Sequence, residues 1–178
     1  MSAPNQSLAQ AIKKRIAVVA VGPSTARGQG APGVVGAARA ALEFVRLERF
    51  STRDQRAFDR ALDAETRRVV ASLPAKARSW GLARKCLNMF LRDCFYSHDL
   101  RRAFKLGVAE RRFEVPLDAV VARGLRKHGR DRRAPRWPGV KRLTPELSAE
   151  YQAIAADLSR RMRISRVHLD TFLWIEGR

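Results

Sequence analysis

The segment SWGLARKCLNMFLRDCF, Ser79–Phe95, is apolar around most of a helical circumference. A helix of that kind has almost no face to give to water. It can only lie at the centre of a fold, with other helices packed around it. The flanking sequence supplies such helices, because apolar residues recur at helical spacing and no stretch alternates convincingly at a period of two.

Leu8, Ile12, Ile16 and Val19 form a stripe that stops at Gly22. After the loop GPSTARGQGAPG, Gly22–Gly33, a second helix is expected from about Val34 to Leu47, burying Val35, Ala38, Leu42 and Val45. STRD, Ser51–Asp54, reads as a capping box opening a third helix, and Asp63 as the cap of a fourth that ends at Pro74. Ser97 caps a short helix before Gly107, and Asp118 stands at an N-cap with helix running to about Lys127. Thr144-Pro145 opens a helix to about Met162, and VHLDTFLW, Val167–Trp174, closes the chain. The expectation is an all-α fold, a single helical domain over residues 1–178 with about eight helices.

Charge narrows the partners. Thirty-six Lys and Arg stand against 17 Asp and Glu, a formal net charge of +19. Such an excess repels itself when compact and attracts polyanions, nucleic acid first and an anionic membrane second. No segment approaches the roughly 18 apolar residues of a membrane span. KKRIAVVAVG, Lys13–Gly22, is too short in its apolar part for a signal peptide. These features predict a cytoplasmic protein that binds nucleic acid and does not enter a membrane. Cys86 and Cys94 lie eight residues apart, two turns on a helix, so they cannot bridge. Without Cys-x-x-Cys pairs or His/Cys clusters, no metal and no cofactor is expected.

The candidate chemistry rests on a few residues, each with a plainer alternative. Asp118 follows Val115-Pro116-Leu117 and precedes an apolar run, so it can be a helix cap and nothing more. A carboxylate held at a helix N-terminus is also fixed in position, which suits an acid that stays ionised beside a developing cation. Lys85 falls with Arg84, Asn88 and Arg92 on the polar edge of the central helix, either solvated or available as a nucleophile or a DNA contact. On the same wheel Asp93 enters the apolar arc of Leu82, Cys86 and Phe90, a buried acid satisfied by an arginine or a backbone N–H. Asp170 could orient the His168 imidazole, or serve as a cap or in a surface ion pair. The glycine-rich loop lacks the Gly-Lys-Ser/Thr ending of a P-loop, so it is either a plain connector or a backbone cradle for a DNA phosphate, with Arg27 and Gln29 as its polar side chains.

WGLARKCLNMFLRD, Trp80–Asp93, followed by EVPLDAVVA, Glu114–Ala122, resembles the core of the helix-hairpin-helix DNA glycosylases. The resemblance covers about a quarter of the chain, and Val115-Pro116-Leu117-Asp118 is its most specific part. The family's Gly-apolar-Gly hairpin turn is replaced here by PAKARSWG, and the interval of 33 positions from Lys85 to Asp118 exceeds the family's usual one. The lyase lysine of some members aligns nearer Gly81, one turn before Lys85 and on the same face. No iron–sulfur cysteines follow. The chain is also similar to small bacterial glycosylase-like proteins with anti-phage roles, which remove hypermodified cytosines such as glucosylated hydroxymethylcytosine.

The resemblance implies a base-excising enzyme that acts on double-stranded DNA as a monomer, without a membrane partner. Lys76, Arg78 and the basic stretch Arg130–Arg142, with Arg133, Arg136 and Lys141 in it, would hold the phosphates. Trp80, Trp137 or Gln29 would stack on or line a pocket for a flipped base. Asp118 would stabilise the sugar cation, with Lys85 in support. The competing expectation is a non-catalytic nucleic-acid-binding protein in which Asp118 only caps. A metal-dependent nuclease is disfavoured because no carboxylates cluster in close spacing.

Overall fold

At the centre of the fold, α4 (Trp80–Tyr96) begins where the Ser79 hydroxyl accepts a hydrogen bond from the Leu82 N–H at 3.2 Å. Every residue from Gly81 to Asn88 on this helix is buried, along with Phe90, Leu91, Cys94 and Phe95. The computed structural model describes residues 3–26, 28, 31–129 and 134–176, with the side chains of 3–7 excepted. Two of the expected site residues, Gln29 and Arg133, lie outside the described residues, as does Arg27. The described residues form eight α-helices and five short 3₁₀ turns, with no strand among them. The fold is all-α.

Two hydrophobic cores share this architecture. The larger joins α1 (Ala3–Ala20), α2 (Val34–Glu43), α3 (Gln55–Ser72), α4 and α5 (His98–Ala103), with Phe50, Phe58, Phe90, Phe95 and Phe113 at its heart. The Phe58 ring meets the Phe50 and Phe113 rings edge-on at centroid distances of 5.3 Å, a favoured aromatic geometry. The smaller core joins α6 (Ala119–His128), α7 (Pro145–Met162) and α8 (Leu169–Glu176) with Val115, Leu117 and Leu143.

Several local expectations change. α1 does not bury the stripe of large residues, since Leu8 and Val19 are 55% and 70% exposed. Its buried face is Ala9, Lys13, Ala17 and Ala20, with Ile12 and Ile16 flanking it, and the three alanines let α1 lie close against α4. α2 stops at Glu43, and the chain continues into a 3₁₀ turn, Leu47–Phe50. The expected third and fourth helices are one. α3 is capped by Asp54 rather than Ser51, its carboxylate accepting from the Arg56 N–H at 2.9 Å. Asp63 lies within α3 and forms an ion pair with Arg84, because a salt bridge to the neighbouring helix satisfies it without ending its own. Ser97 both closes α4 and caps α5, accepting from the Leu100 N–H at 3.4 Å.

Cys86 and Cys94 are free and buried. Burial pushes the Cys86 thiol up to about 12 and the Cys94 thiol upward as well. Neither is poised as a nucleophile. Among the described residues no helix is long and apolar enough to cross a membrane.

Candidate functional site

Lys85 belongs to the central helix of the larger core, and Asp118 to the helix start that opens the smaller one. They meet at the seam, with the Lys85 Nζ 3.8 Å from the Asp118 Oδ2. The expectation of a solvated lysine on a polar edge is overturned, because Lys85 is only 8% exposed. A wheel treats α4 as facing water on one side, whereas the segment from Glu114 to Asp118 lies against that side.

The two oxygens of Asp118 do different work. Oδ1 accepts from the Val120 and Val121 N–H groups at 2.9 and 3.0 Å, which is the N-cap expected from the sequence. Oδ2 is left to face Lys85. The segment that carries the acid is clamped from both sides. Gln152 of α7, itself buried, accepts from the Val115 N–H at 3.2 Å and donates to the Val115 carbonyl at 2.8 Å. Asn88, one turn beyond Lys85 on α4, donates to the Glu114 carboxylate at 2.8 Å. Pro116, with its fixed φ, sits between these clamps and Asp118. The sequence carried no signal for Gln152 as a functional neighbour, since its partner lies 37 residues away.

Two hollows open on the Lys85–Asp118 pair. The outer one is a groove of about 920 Å³ bordered by Arg78, Trp137, Lys141 and Arg142, with Ser24 and Thr25 of the glycine-rich loop on its other side. The second, called the inner hollow for its place on the far side of the pair from the groove's basic loop, holds about 570 Å³ and is itself open to solvent. It runs past Met89, Pro116 and the exposed Tyr96 and Trp174 to the charged trio Arg92, Asp93 and Asp170. Lys85, Asp118, Ser24 and Thr25 line both.

Arg78, Lys141 and Trp137 therefore border the groove, and Asp118 and Lys85 lie between the hollows. Lys76 is exposed on the 3₁₀ turn Ala75–Ala77 and Arg136 is exposed before Trp137, but neither lines a hollow. Trp80 lines neither. It packs against the smaller core with the Arg84 guanidinium 4.8 Å over its ring, so the stacking role assigned to it is taken up by packing. The Trp137 ring rests edge-on against buried Tyr151 at 5.5 Å, which holds it at the groove. Arg142 borders the groove as expected of the basic stretch it ends, whereas Tyr96 and Trp174 are additions that sequence reasoning missed. An exposed aromatic near a chain end carries no sign of which cavity it will border.

The other acids find structural partners. Asp93 is bound by Arg92 at 2.8 Å. Burial pushes its carboxyl above the usual range, and Arg92 works against that rise. Asp170 also pairs with Arg92 and does not orient His168, which instead stacks on Tyr96 and meets Glu110 at 3.3 Å. The basic loop reaches the groove because Gly81 lets it: a Cβ there would stand 2.1 Å from the Val140 carbonyl oxygen and 2.7 Å from the Leu143 Cβ. Among the described residues no group of three or more His, Cys, Asp or Glu side chains is placed to hold a metal ion. No family model, no curated protein and no solved structure matches this chain.

Proposed function

We propose that this protein is a DNA glycosylase that flips out a damaged or hypermodified base and cleaves its N-glycosidic bond, leaving an abasic site. The observation that carries the reading is the Lys85–Asp118 pair, 3.8 Å apart, standing where a cationic groove meets an inner hollow. Arg78, Lys141 and Arg142 neutralise the phosphates along the groove and set the register of the duplex. The target nucleotide leaves the stack and its base passes the pair into the inner hollow, against Tyr96, Met89 and Trp174. The C1′ atom then lies beside Asp118. Its ionised carboxylate, already fixed by two backbone N–H groups, stabilises positive charge on the sugar as the base departs with the bonding pair. A water then adds to C1′, and the proton it gives up neutralises the departed base.

Lys85 is held as a buried counter-ion and supports the reaction. As an ammonium it stabilises the departing base or the carboxylate; as a nucleophile it would first have to lose its proton. The polar end of the inner hollow, Arg92 with Asp93 and Asp170, offers donors and acceptors to a base carrying a polar substituent, so hypermodified cytosines such as glucosylated hydroxymethylcytosine belong in the substrate panel. The test is a set of duplexes bearing damaged and phage-type modified bases, incubated in EDTA and scored for abasic sites by alkaline cleavage. Abasic sites with one of these bases are expected. Binding without cleavage of any of them would favour a purely nucleic-acid-binding protein, in which the Asp118 cap is structural.

A further inference from the structure

On another part of the molecule, six arginines converge on a third hollow of about 1110 Å³. Arg53 comes from the loop before α3, Arg111 and Arg112 from the 3₁₀ turn Leu106–Arg112, Arg160 and Arg163 from the end of α7, and Arg166 from the turn that follows. This hollow shares no lining residue with the groove or the inner cavity. We propose that it is a second anion site, built to hold a run of phosphates. The proposal does not depend on the glycosylase reading.

The charge there is not a neutralised surface. The one carboxylate in the lining is Glu110, and both its oxygens are engaged: Oε2 by Arg101 at 3.2 Å, Oε1 by Ser165 at 3.1 Å and His168 at 3.3 Å. Arg160 is paired with Asp157 at 3.3 Å, but among the described residues Arg53, Arg111 and Arg163 make no ion pair. Arg166 is drawn inward and donates to the Arg112 carbonyl at 3.2 Å. Arg112 spends Nη1 on Gln55 at 2.9 Å, while its buried Nε has no hydrogen-bond partner. Like charges gathered from three parts of the chain repel one another unless an anion sits among them.

The backbone adds a second, independent sign. Arg163 ends α7 in the left-handed region, φ 56°, where glycine is the ordinary residue. Arginine at that point costs stability and places a guanidinium at the rim of the hollow. Planar guanidinium forks match phosphate oxygens two at a time, so a set of them selects phosphates over simple anions. A string of phosphates comes from a nucleic-acid backbone or from a free oligophosphate such as a nucleoside polyphosphate, and the same variants separate the two.

The informative variant is Arg160→Gln/Arg163→Gly. Glycine suits the backbone at 163, and Asp157 keeps Arg161 as a partner, so this variant should melt no lower than wild type. Inorganic tripolyphosphate, titrated calorimetrically, should bind it at least tenfold more weakly, while Lys14→Gln/Arg15→Gln, exposed on α1 and lining none of the three hollows, binds within twofold of wild type. A labelled 20-mer duplex, followed by anisotropy across salt concentrations, identifies the source. If the ligand is a DNA backbone, duplex affinity drops and the salt slope shrinks by about 2, two contacts having gone. If the ligand is a free oligophosphate, tripolyphosphate binding is lost and duplex binding is unchanged. If both ligands bind the variant as they bind wild type, the site does not exist.

Discussion

Replacing Asp118 by asparagine separates the two tasks its carboxylate performs. Oδ1 accepts both backbone hydrogen bonds, at 2.9 and 3.0 Å, and the asparagine carbonyl can take its place. Oδ2, 3.8 Å from Lys85 Nζ, becomes an amide NH₂ that repels the ammonium. At that separation the charge attraction is about 4 kcal/mol for an effective dielectric near 20, before desolvation is subtracted. Side-chain exposure of 30% at Asp118 admits water and reduces the net loss to about 1–2 kcal/mol. Asp118→Ala should cost about 1 kcal/mol more than Asp118→Asn, because it removes the cap as well. Urea unfolding of both variants, and of a cycle with Lys85→Met, measures these differences directly.

Activity should separate the variants further. Asp118→Asn is expected to bind duplex DNA at least as tightly as wild type, one negative charge beside the groove having gone. Its excision rate should fall at least a hundredfold, about 3 kcal/mol of lost transition-state stabilisation. Anisotropy reports the binding, and single-turnover alkaline cleavage on whichever base the panel identifies reports the excision. Excision at the wild-type rate would reduce Asp118 to a cap and remove the residue on which the catalytic reading stands. Equal stabilities of the asparagine and alanine variants would refute the division of labour between the two oxygens.

Duplex binding should weaken steeply as salt rises, and Lys141→Gln/Arg142→Gln should lower the slope by about 2; binding insensitive to salt between 50 and 200 mM would contradict a phosphate groove. Borohydride should trap no adduct in the wild type if Lys85 only supports the reaction, whereas an adduct that disappears in Lys85→Ala would make it a Schiff-base nucleophile. Gly81→Ala forces a methyl group to 2.1 Å from the Val140 carbonyl, so thermal melting should show a loss of about 3 kcal/mol or more, and a variant as stable as wild type would mean that the basic loop does not press on α4 as described.

Much of the fold was legible as pattern. The nearly uniform apolarity of Ser79–Phe95 made α4 central, the Ser97, Asp118 and Thr144 caps marked real helix starts, and helical periodicity left no place for a sheet. Errors arose where two readings share the same letters. Asp63 looks like a cap until Arg84 of the next helix is seen beside it. The alanine face of α1 is weaker in hydropathy than the Leu8–Val19 stripe, yet it is the face that allows close approach to α4.

The sequence by itself determined helicity, the excess of positive charge and the Asp118 cap, because each depends on residues within a turn or two of one another or on a sum over the chain. Tertiary structure alone decided that Lys85 is buried, that the free oxygen of Asp118 faces it, that Gln152 and Asn88 fix the intervening segment, and that six arginines share one hollow. These are relations across tens of residues, and whether a charged side chain meets water or a partner is set by which helix happens to cover it.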